Sequence, residues 1–122
     1  YLSVKNSQQP LVTVIMPVYN GENLVDSSVE SILTQTYQNL EMIIVDDGST
    51  DGTLKIVSNI ADLDNRVRVI SQTNHGQGYA RNRALEQASG DFILFMDSDD
   101  LLESNAIELA LDRITSDNSD LV

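Results

Sequence analysis

The sequence lacks several features that define common protein classes. It has no cysteine, which excludes disulfides and thiolate metal sites and is compatible with the cytoplasm. No apolar run approaches the roughly 20 residues of a membrane-spanning helix, and the N-terminus shows no signal-peptide pattern. The single histidine, His75, leaves no Ser-His-Asp set for nucleophilic catalysis. We therefore expect a cytoplasmic protein with no transmembrane segment in this chain, or one held at the inner face of the membrane by parts outside it.

Basic residues are also scarce, with 7 Lys and Arg against 19 Asp and Glu, and the formal net charge is −12. Because there is neither a basic stripe nor a polybasic cluster, we exclude nucleic acid and anionic lipid as partners. The same charge repels a nucleotide diphosphate unless a divalent cation lies between the carboxylates and the phosphates. The alternative is that most of these carboxylates only keep the protein soluble.

Short β-rich runs alternate with amphipathic stretches along a chain whose length fits one domain. Residues 1–10 are polar and aperiodic, which predicts a tail or linker, and residues 11–122 form the expected domain. We expect strands at residues 11–18, 40–45, 67–70 and 91–96, and helices at 22–36, 53–61, 79–88 and from 101 or 102 to 114. This alternation predicts an α/β fold with a mostly parallel sheet and helices on both faces. Residues 120–122 resemble the start of a fifth strand, which suggests truncation there.

Polar or conformationally special residues lie at the carboxyl ends of three of the four predicted strands, at residues 17–20, 46–49 and 97–100. The carboxyl ends of parallel strands meet at one edge of a sheet, where ligands bind in open α/β sheets. On an extended chain, Asp97 and Asp99 point the same way, about 6.6 Å apart. Oxygen ligands alone suit Mg²⁺ or Mn²⁺, so we favour Asp99 as a metal ligand, with helix capping as the alternative. For Asp100 we favour capping of the following helix.

Other polar residues near this edge allow two interpretations each. Asp46 and Asp47 are neighbours on a strand end, so they face opposite ways and differ in role. One holds the following turn, and the other is free to accept a hydrogen bond from a nucleobase. Arg81 either contacts a pyrophosphate or pairs with an aspartate. His75 is either a surface histidine or part of the site, and the glycines beside it are too few for a dinucleotide-binding loop.

Five motifs, in this order and spacing, resemble the family 2 glycosyltransferases. They are VIMPVYN at residues 14–20, SILTQTY at 31–37, IVDDGSTDGT at 44–53, NHGQGYARN at 74–82 and FMDSDD at 95–100. The resemblance implies a Rossmann-like GT-A fold and a hexosyltransferase-type enzyme that inverts the anomeric carbon. Its donor would be a nucleotide-diphosphate sugar, with a UDP-sugar favoured. Its acceptor would be a glycan or lipid-linked sugar in polysaccharide or cell-envelope synthesis.

The resemblance also implies roles for seven residues of this sequence. Pro17 and Tyr19 would line the nucleoside pocket with Glu22 beside them, and Asp47 would accept a hydrogen bond from the nucleobase. Arg81 would bind the donor, and Asp97 would hold the ribose or sugar. Asp99 would ligate Mn²⁺ or Mg²⁺. The family's catalytic base is expected beyond Val122, so no residue here is given that role. We therefore expect the donor-binding portion, cut before the acceptor-binding half and inactive alone.

Three alternatives compete with this interpretation. A receiver-type signalling domain places its acidic pair after the first strand and needs a later lysine, whereas Asp46 and Asp47 follow the second strand. A haloacid-dehalogenase-like phosphatase expects its acidic motif on the first strand, followed by Thr or Val where Leu101 stands. A non-catalytic sugar-nucleotide-binding module is disfavoured by the intact acidic motifs.

Overall fold

The computed structural model describes the backbone of residues 9–121 and the side chains of residues 9–114. Residues 1–8 of the predicted tail therefore lie outside the described part. Four strands alternate with four helices in the part that is described. They are β1 (Val12–Val18), α1 (Val25–Leu33), β2 (Leu40–Asp47), α2 (Thr53–Leu63), β3 (Val67–Gln72), α3 (Gln77–Gln87), β4 (Phe92–Phe95) and α4 (Ala106–Leu121). Among the described helices, none is long and apolar enough to cross a membrane.

The four strands form one parallel sheet in the order β3-β2-β1-β4. In register, Val18 lies opposite Asp46, and Asp47 lies opposite Gln72. β1 and β2 are buried along almost their whole length, because helices cover both faces of the sheet. The predicted α/β class and the parallel sheet are confirmed.

The core is divided by the sheet into two unequal layers. On one face, even-numbered strand residues such as Val14 and Ile44 pack with side chains of α1, α2 and α4. On the other face, Ile15 and Ile43 pack against the small side chain of Ala80 and its neighbours on α3. Since α3 connects the two outermost strands, it crosses the sheet and begins at the carboxyl edge.

Helix α4 begins at Ala106, several residues after the predicted start. The segment before it is held by side chains around α1 instead of by helical hydrogen bonds. Leu102 N–H donates to Ser31 Oγ at 3.3 Å, and Gln35 Nε2 donates to the carbonyl of Glu103 at 2.6 Å. The N–H of Leu102 and the carbonyl of Glu103 therefore have side-chain partners.

The last described residues also differ from the sequence prediction. Asp120 and Leu121 lie in α4, so the fifth strand expected at residues 120–122 is wrong for these two. Val122 lies outside the described part. Helix α4 contains neither glycine nor proline, so no residue within it interrupts the helix.

Candidate functional site

The loops that follow the strands contact one another at the carboxyl edge of the sheet. Gly21 N–H donates to Thr53 Oγ1 at 2.9 Å, and a Cβ on Gly21 would lie 3.7 Å from Ser98 Oγ. A Cβ on Gly48 would lie 2.9 Å from the backbone nitrogen of Asn74. Gly48 also has a φ of 78°, in the region that glycine tolerates best. These approaches assemble the four loops into one continuous surface.

Three carboxylates cluster in the loop after β4, which we call the acidic turn (residues 97–100). One oxygen each from Asp97, Asp99 and Asp100 lies within 4.8 Å of the others, and all three residues are exposed. Asp100 N–H donates to the carbonyl of Asp97 at 3.1 Å, and Asp97 N–H donates to Asp100 Oδ2 at 3.2 Å. The extended geometry expected for this segment is therefore wrong, because the carboxylates converge through a turn.

Proline explains why β4 ends where it does. Met96 N–H donates to the carbonyl of Ile15 at 3.0 Å, which continues the parallel ladder between β1 and β4. In such a ladder the next bond would run from the N–H of Pro17 to the carbonyl of Met96. Proline has no N–H, so the pairing stops and residues 97–100 are free to turn. Pro17 itself is buried in β1.

A side chain of α1 is also hydrogen-bonded to the acidic turn. Ser28 Oγ donates to the carbonyl of Ser98 at 2.6 Å. Gln35 is fully buried, and its Oε1 accepts from the N–H of Ile107 at 3.0 Å. Because Gln35 Nε2 also donates to the carbonyl of Glu103, Gln35 ties the segment before α4 to the first turn of that helix. Gln35 was not among the site residues expected from the sequence, although buried polar side chains are generally hydrogen-bonded and a glutamine at the end of an apolar helical face is a candidate for such a contact. Asp100, in turn, closes the acidic turn and does not cap α4.

Arg81 lies beside the acidic turn. Its NH2 group is 3.8 Å from Asp97 Oδ1, and its guanidinium carbon is 5.9 Å from the ring centroid of Phe95. Its Nε is buried and has no hydrogen-bond partner among the described residues. The ion pair that was one of two interpretations of Arg81 is therefore present. About a third of the side chain remains accessible, so a ligand can still reach it.

Asp47 is 5% exposed and holds the loop after β3. Its Oδ1 accepts from Gln72 Nε2 at 2.9 Å and from His75 N–H at 2.8 Å, while its Oδ2 accepts from Gly76 N–H at 3.0 Å. Burial raises the pKa of Asp47, but these three hydrogen bonds outweigh it, so the pKa lies below its usual value. A carboxylate offers about four acceptor positions, which leaves one on Oδ2 for a further donor.

Asp46 points to the opposite face of β2 from Asp47, as neighbours on a strand do. It is 2% exposed, and its Oδ2 accepts from Ser49 N–H at 3.3 Å. Asp46 is therefore the member of the pair that holds the turn after β2. Its Oδ1 is buried without a hydrogen-bond partner in the described part of the chain.

The loop after β1 places Tyr19 and Glu22 at the same edge. Tyr19 is 51% exposed, so its ring surface is open to a ligand. Glu22 is exposed, but its Oε2 accepts from Gly52 N–H at 2.9 Å. Its carboxylate thus stabilises the start of α2, where free N–H groups attract negative charge. This contact was not predicted from the sequence.

Together these groups make an edge with two kinds of chemistry. The acidic turn offers carboxylate oxygens, the ligands that Mg²⁺ and Mn²⁺ prefer, on a backbone fixed by Ser28. Arg81 adds a positive charge at one side of it. Tyr19 and Asp47 add a ring surface and an acceptor position on the neighbouring strands.

Comparison with known proteins places this edge in a family context. The family model for glycosyl transferase family 2 matches residues 13–122. Over 110 residues, the chain is 46% identical to a chondroitin synthase from Escherichia coli, covering 90% of the chain and 16% of the synthase. It spans less than half the length of the curated relatives most similar to it.

Solved structures show the same fold. The chain superposes on residues 1–349 of S. aureus TarS in complex with UDP-GlcNAc with a TM-score of 0.80 and 37% identity, covering 86% of this chain and 31% of that one. It also superposes on a mannosyltransferase from Pyrobaculum calidifontis in complex with GDP-Man and Mn²⁺, with a TM-score of 0.74 and 32% sequence identity. That superposition covers 84% of this chain and 32% of the mannosyltransferase. The fold is the Rossmann-like GT-A fold, as expected, and the chain belongs to glycosyl transferase family 2.

Proposed function

We propose that this chain is the donor-binding portion of an inverting glycosyltransferase that uses a nucleotide-diphosphate sugar and a divalent cation. The observation that carries the proposal is the acidic turn, fixed beside Arg81 at the same sheet edge as Asp47. Support comes from TarS and the Pyrobaculum mannosyltransferase, whose structures contain UDP-GlcNAc and GDP-Man with Mn²⁺. Membership of family 2 also removes the receiver domain and the phosphatase as alternatives.

The acidic turn is the proposed metal site, with Asp99 as the principal ligand. Asp99 carries no ion pair within the described part of the chain, whereas Asp97 is already paired with Arg81. The cation, Mn²⁺ or Mg²⁺, would neutralise the diphosphate and so help it leave as the sugar is transferred. Asp97 would then orient the ribose or sugar through hydrogen bonds. Arg81 would face the diphosphate from the other side of the turn.

The nucleoside end of the donor is assigned to the loops after β1 and β2. Pro17 and Tyr19 would line its pocket, with the exposed ring of Tyr19 as the stacking surface. Asp47 would accept a hydrogen bond from the base at its remaining Oδ2 position. Glu22 would act beside them by fixing the loops, since its carboxylate bonds to Gly52.

The remainder of the reaction is assigned to polypeptide outside this chain. General-base catalysis needs a carboxylate within hydrogen-bond reach of the acceptor hydroxyl. The carboxylates of the described edge are assigned to the metal, the donor and the loops, so we place the base and the acceptor site beyond Val122. A glycan or lipid-linked acceptor in polysaccharide or cell-envelope synthesis is supported by similarity to the chondroitin synthase.

Calorimetric titration of the chain with UDP tests the proposal. UDP should bind in the presence of Mn²⁺ and lose its affinity when a chelator is added. Asp99→Asn should weaken binding by about tenfold or more, because even outer-shell partners of metal ligands cost 10–100-fold. Asp62→Asn is the matched control, since Asp62 is an exposed aspartate in the last turn of α2, at the opposite edge of the sheet.

Three results would each contradict a part of the proposal. Affinity that persists in chelator would remove the metal from the site. If Asp99→Asn and Asp62→Asn lost UDP affinity equally, the affinity would depend only on the net charge of the chain and not on a metal ligand at Asp99. A chain that binds UDP with Mn²⁺ and also transfers sugar to an acceptor would refute the placement of the base outside it.

A further inference from the structure

Two aromatic rings lie together on the surface where α3 begins. The ring centroids of His75 and Tyr79 are 4.7 Å apart, with an angle of 37° between the ring planes. Both residues are exposed, and Tyr79 retains 51% of its accessible surface. Single exposed aromatic residues are ordinary, but two rings in contact with each other outside the core, beside the carboxyl edge, offer an exposed ring face on which a planar ligand can stack.

This aromatic pair is held in place by the protein itself. Thr73 Oγ1 and His75 Nε2 are 2.8 Å apart and share a hydrogen bond. The backbone N–H groups of His75 and Gly76 donate to the buried carboxylate of Asp47. The imidazole is thus fixed through both its ring and its backbone, and little ordering would remain for a ligand to impose.

The position of the pair on α3 sets it apart from the acidic turn. Ala80 faces the sheet and is fully buried, so Tyr79 and Arg81 project from opposite flanks of the helix at 100° per residue. Arg81 reaches Asp97 on the β4 flank. Arg83, one turn after Tyr79, approaches Gln72 of β3 at 3.5 Å. Tyr79 therefore lies on the β3 flank, about one helix diameter, or roughly 10 Å, from the acidic turn.

There is open space beside the rings. A Cβ built on either Gly76 or Gly78 would have no heavy atom within 4 Å. The φ of 94° at Gly76 lets the chain turn into α3 without a side chain on its outer side. The two glycines next to the rings are therefore not covered by other parts of the described chain.

From this arrangement we infer that His75 and Tyr79 form a second stacking surface for the nucleobase of the donor. The inference rests on the proposed function, which puts the diphosphate at the acidic turn. A nucleoside diphosphate carries its base and its phosphates at opposite ends, so phosphates on the β4 flank direct the base towards the β3 flank. There the backbone of His75, which carries one of the two rings, is hydrogen-bonded to Asp47, the proposed hydrogen-bond acceptor for the base.

Titration with two probes in Mn²⁺ tests this inference. UDP carries a base, whereas inorganic pyrophosphate carries only the phosphates. Tyr79→Leu keeps an apolar helix former but removes the ring, and should weaken UDP binding by about tenfold, the loss expected for one base–aromatic stack. Pyrophosphate binding should stay within about twofold, and Tyr79→Phe should restore UDP affinity. His75→Leu should act in the same direction as Tyr79→Leu.

Leu85→Ala is the control, because Leu85 is 41% exposed on the same helix but far from the loops. It should leave the affinity for both probes unchanged. Unchanged UDP affinity in both Tyr79→Leu and His75→Leu would overturn the inference and leave the proposed function intact. Equal loss of UDP and pyrophosphate affinity would also overturn it. A wild-type chain that binds neither probe would refute the proposed function itself.

Discussion

Replacing Asp47 by asparagine separates the structural role of this carboxylate from its proposed contact with the base. In the variant, the amide oxygen can still accept from Gln72 and His75, but the amide N–H₂ faces the N–H of Gly76. Two donors then meet in a buried place, and each unsatisfied buried group costs about 1–3 kcal/mol. We expect the free energy of unfolding to fall by about 2–4 kcal/mol, a large share of a typical domain's 5–15 kcal/mol.

Urea denaturation followed by circular dichroism measures this loss, with Asp62→Asn as the control for removing one charge. The control should change the free energy of unfolding by less than about 0.5 kcal/mol, as exposed substitutions usually do. A loss below 1 kcal/mol in Asp47→Asn would refute the reasoning, because it would mean that the three contacts of the carboxylate contribute little. The m-value should be unchanged if the folded state keeps its compactness.

Two further predictions concern stability. The pKa of Asp47 is lowered in the folded state, so the folded chain binds fewer protons than the unfolded chain near pH 4. The stabilisation that ionised Asp47 gives the folded chain should be complete at neutral pH. It should be lost as the pH drops below about 3.9, the ordinary value, and through the lower pKa of the folded state. In urea melts over this pH range, the free energy of unfolding should decrease less steeply for Asp47→Asn than for the wild type. Gln35→Leu leaves the N–H of Ile107 without a partner and removes one of the two hydrogen bonds that the carbonyl of Glu103 accepts, since Ala106 N–H still donates to it. Urea melts should therefore show the free energy of unfolding lowered by about 1–3 kcal/mol. A melt like that of the wild type would show that water replaces Gln35.

The strands could be predicted from the sequence because short runs of apolar residues indicate them whatever the exact backbone geometry. Residues 40–45 are nearly all apolar, and a run of this length and composition is typical of a parallel strand covered on both faces. Their ends were less predictable, since β2 continues through Asp46 and Asp47 into polar sequence. These two residues remain in the strand because Ser71 and Gln72 of β3 lie opposite them in register. That pairing is a tertiary fact which composition does not reveal.

The acidic turn illustrates a correct grouping reached through a wrong geometry. Asp97 and Asp99 were expected to converge on an extended strand, yet they converge in a turn closed by Asp100. The sequence did contain the reason, since Pro17 cannot donate to Met96, but using it requires the β1–β4 register. The proximity of Asp97 and Asp99 was therefore predictable, whereas the backbone that carries them, and the place of Asp100 in the cluster, were not.

Local charge also determines the order in which ligands can reach the edge. The acidic turn contributes three carboxylates against the single guanidinium of Arg81, which leaves a formal charge of −2 where the diphosphate is proposed to bind. A divalent cation bound there cancels this charge and then presents its own free coordination positions to phosphate oxygens. Without the cation, Arg81 is already paired with Asp97 and cannot offset two further carboxylates. The charges therefore favour binding of the cation before, or together with, the nucleotide, and they disfavour binding of the nucleotide alone.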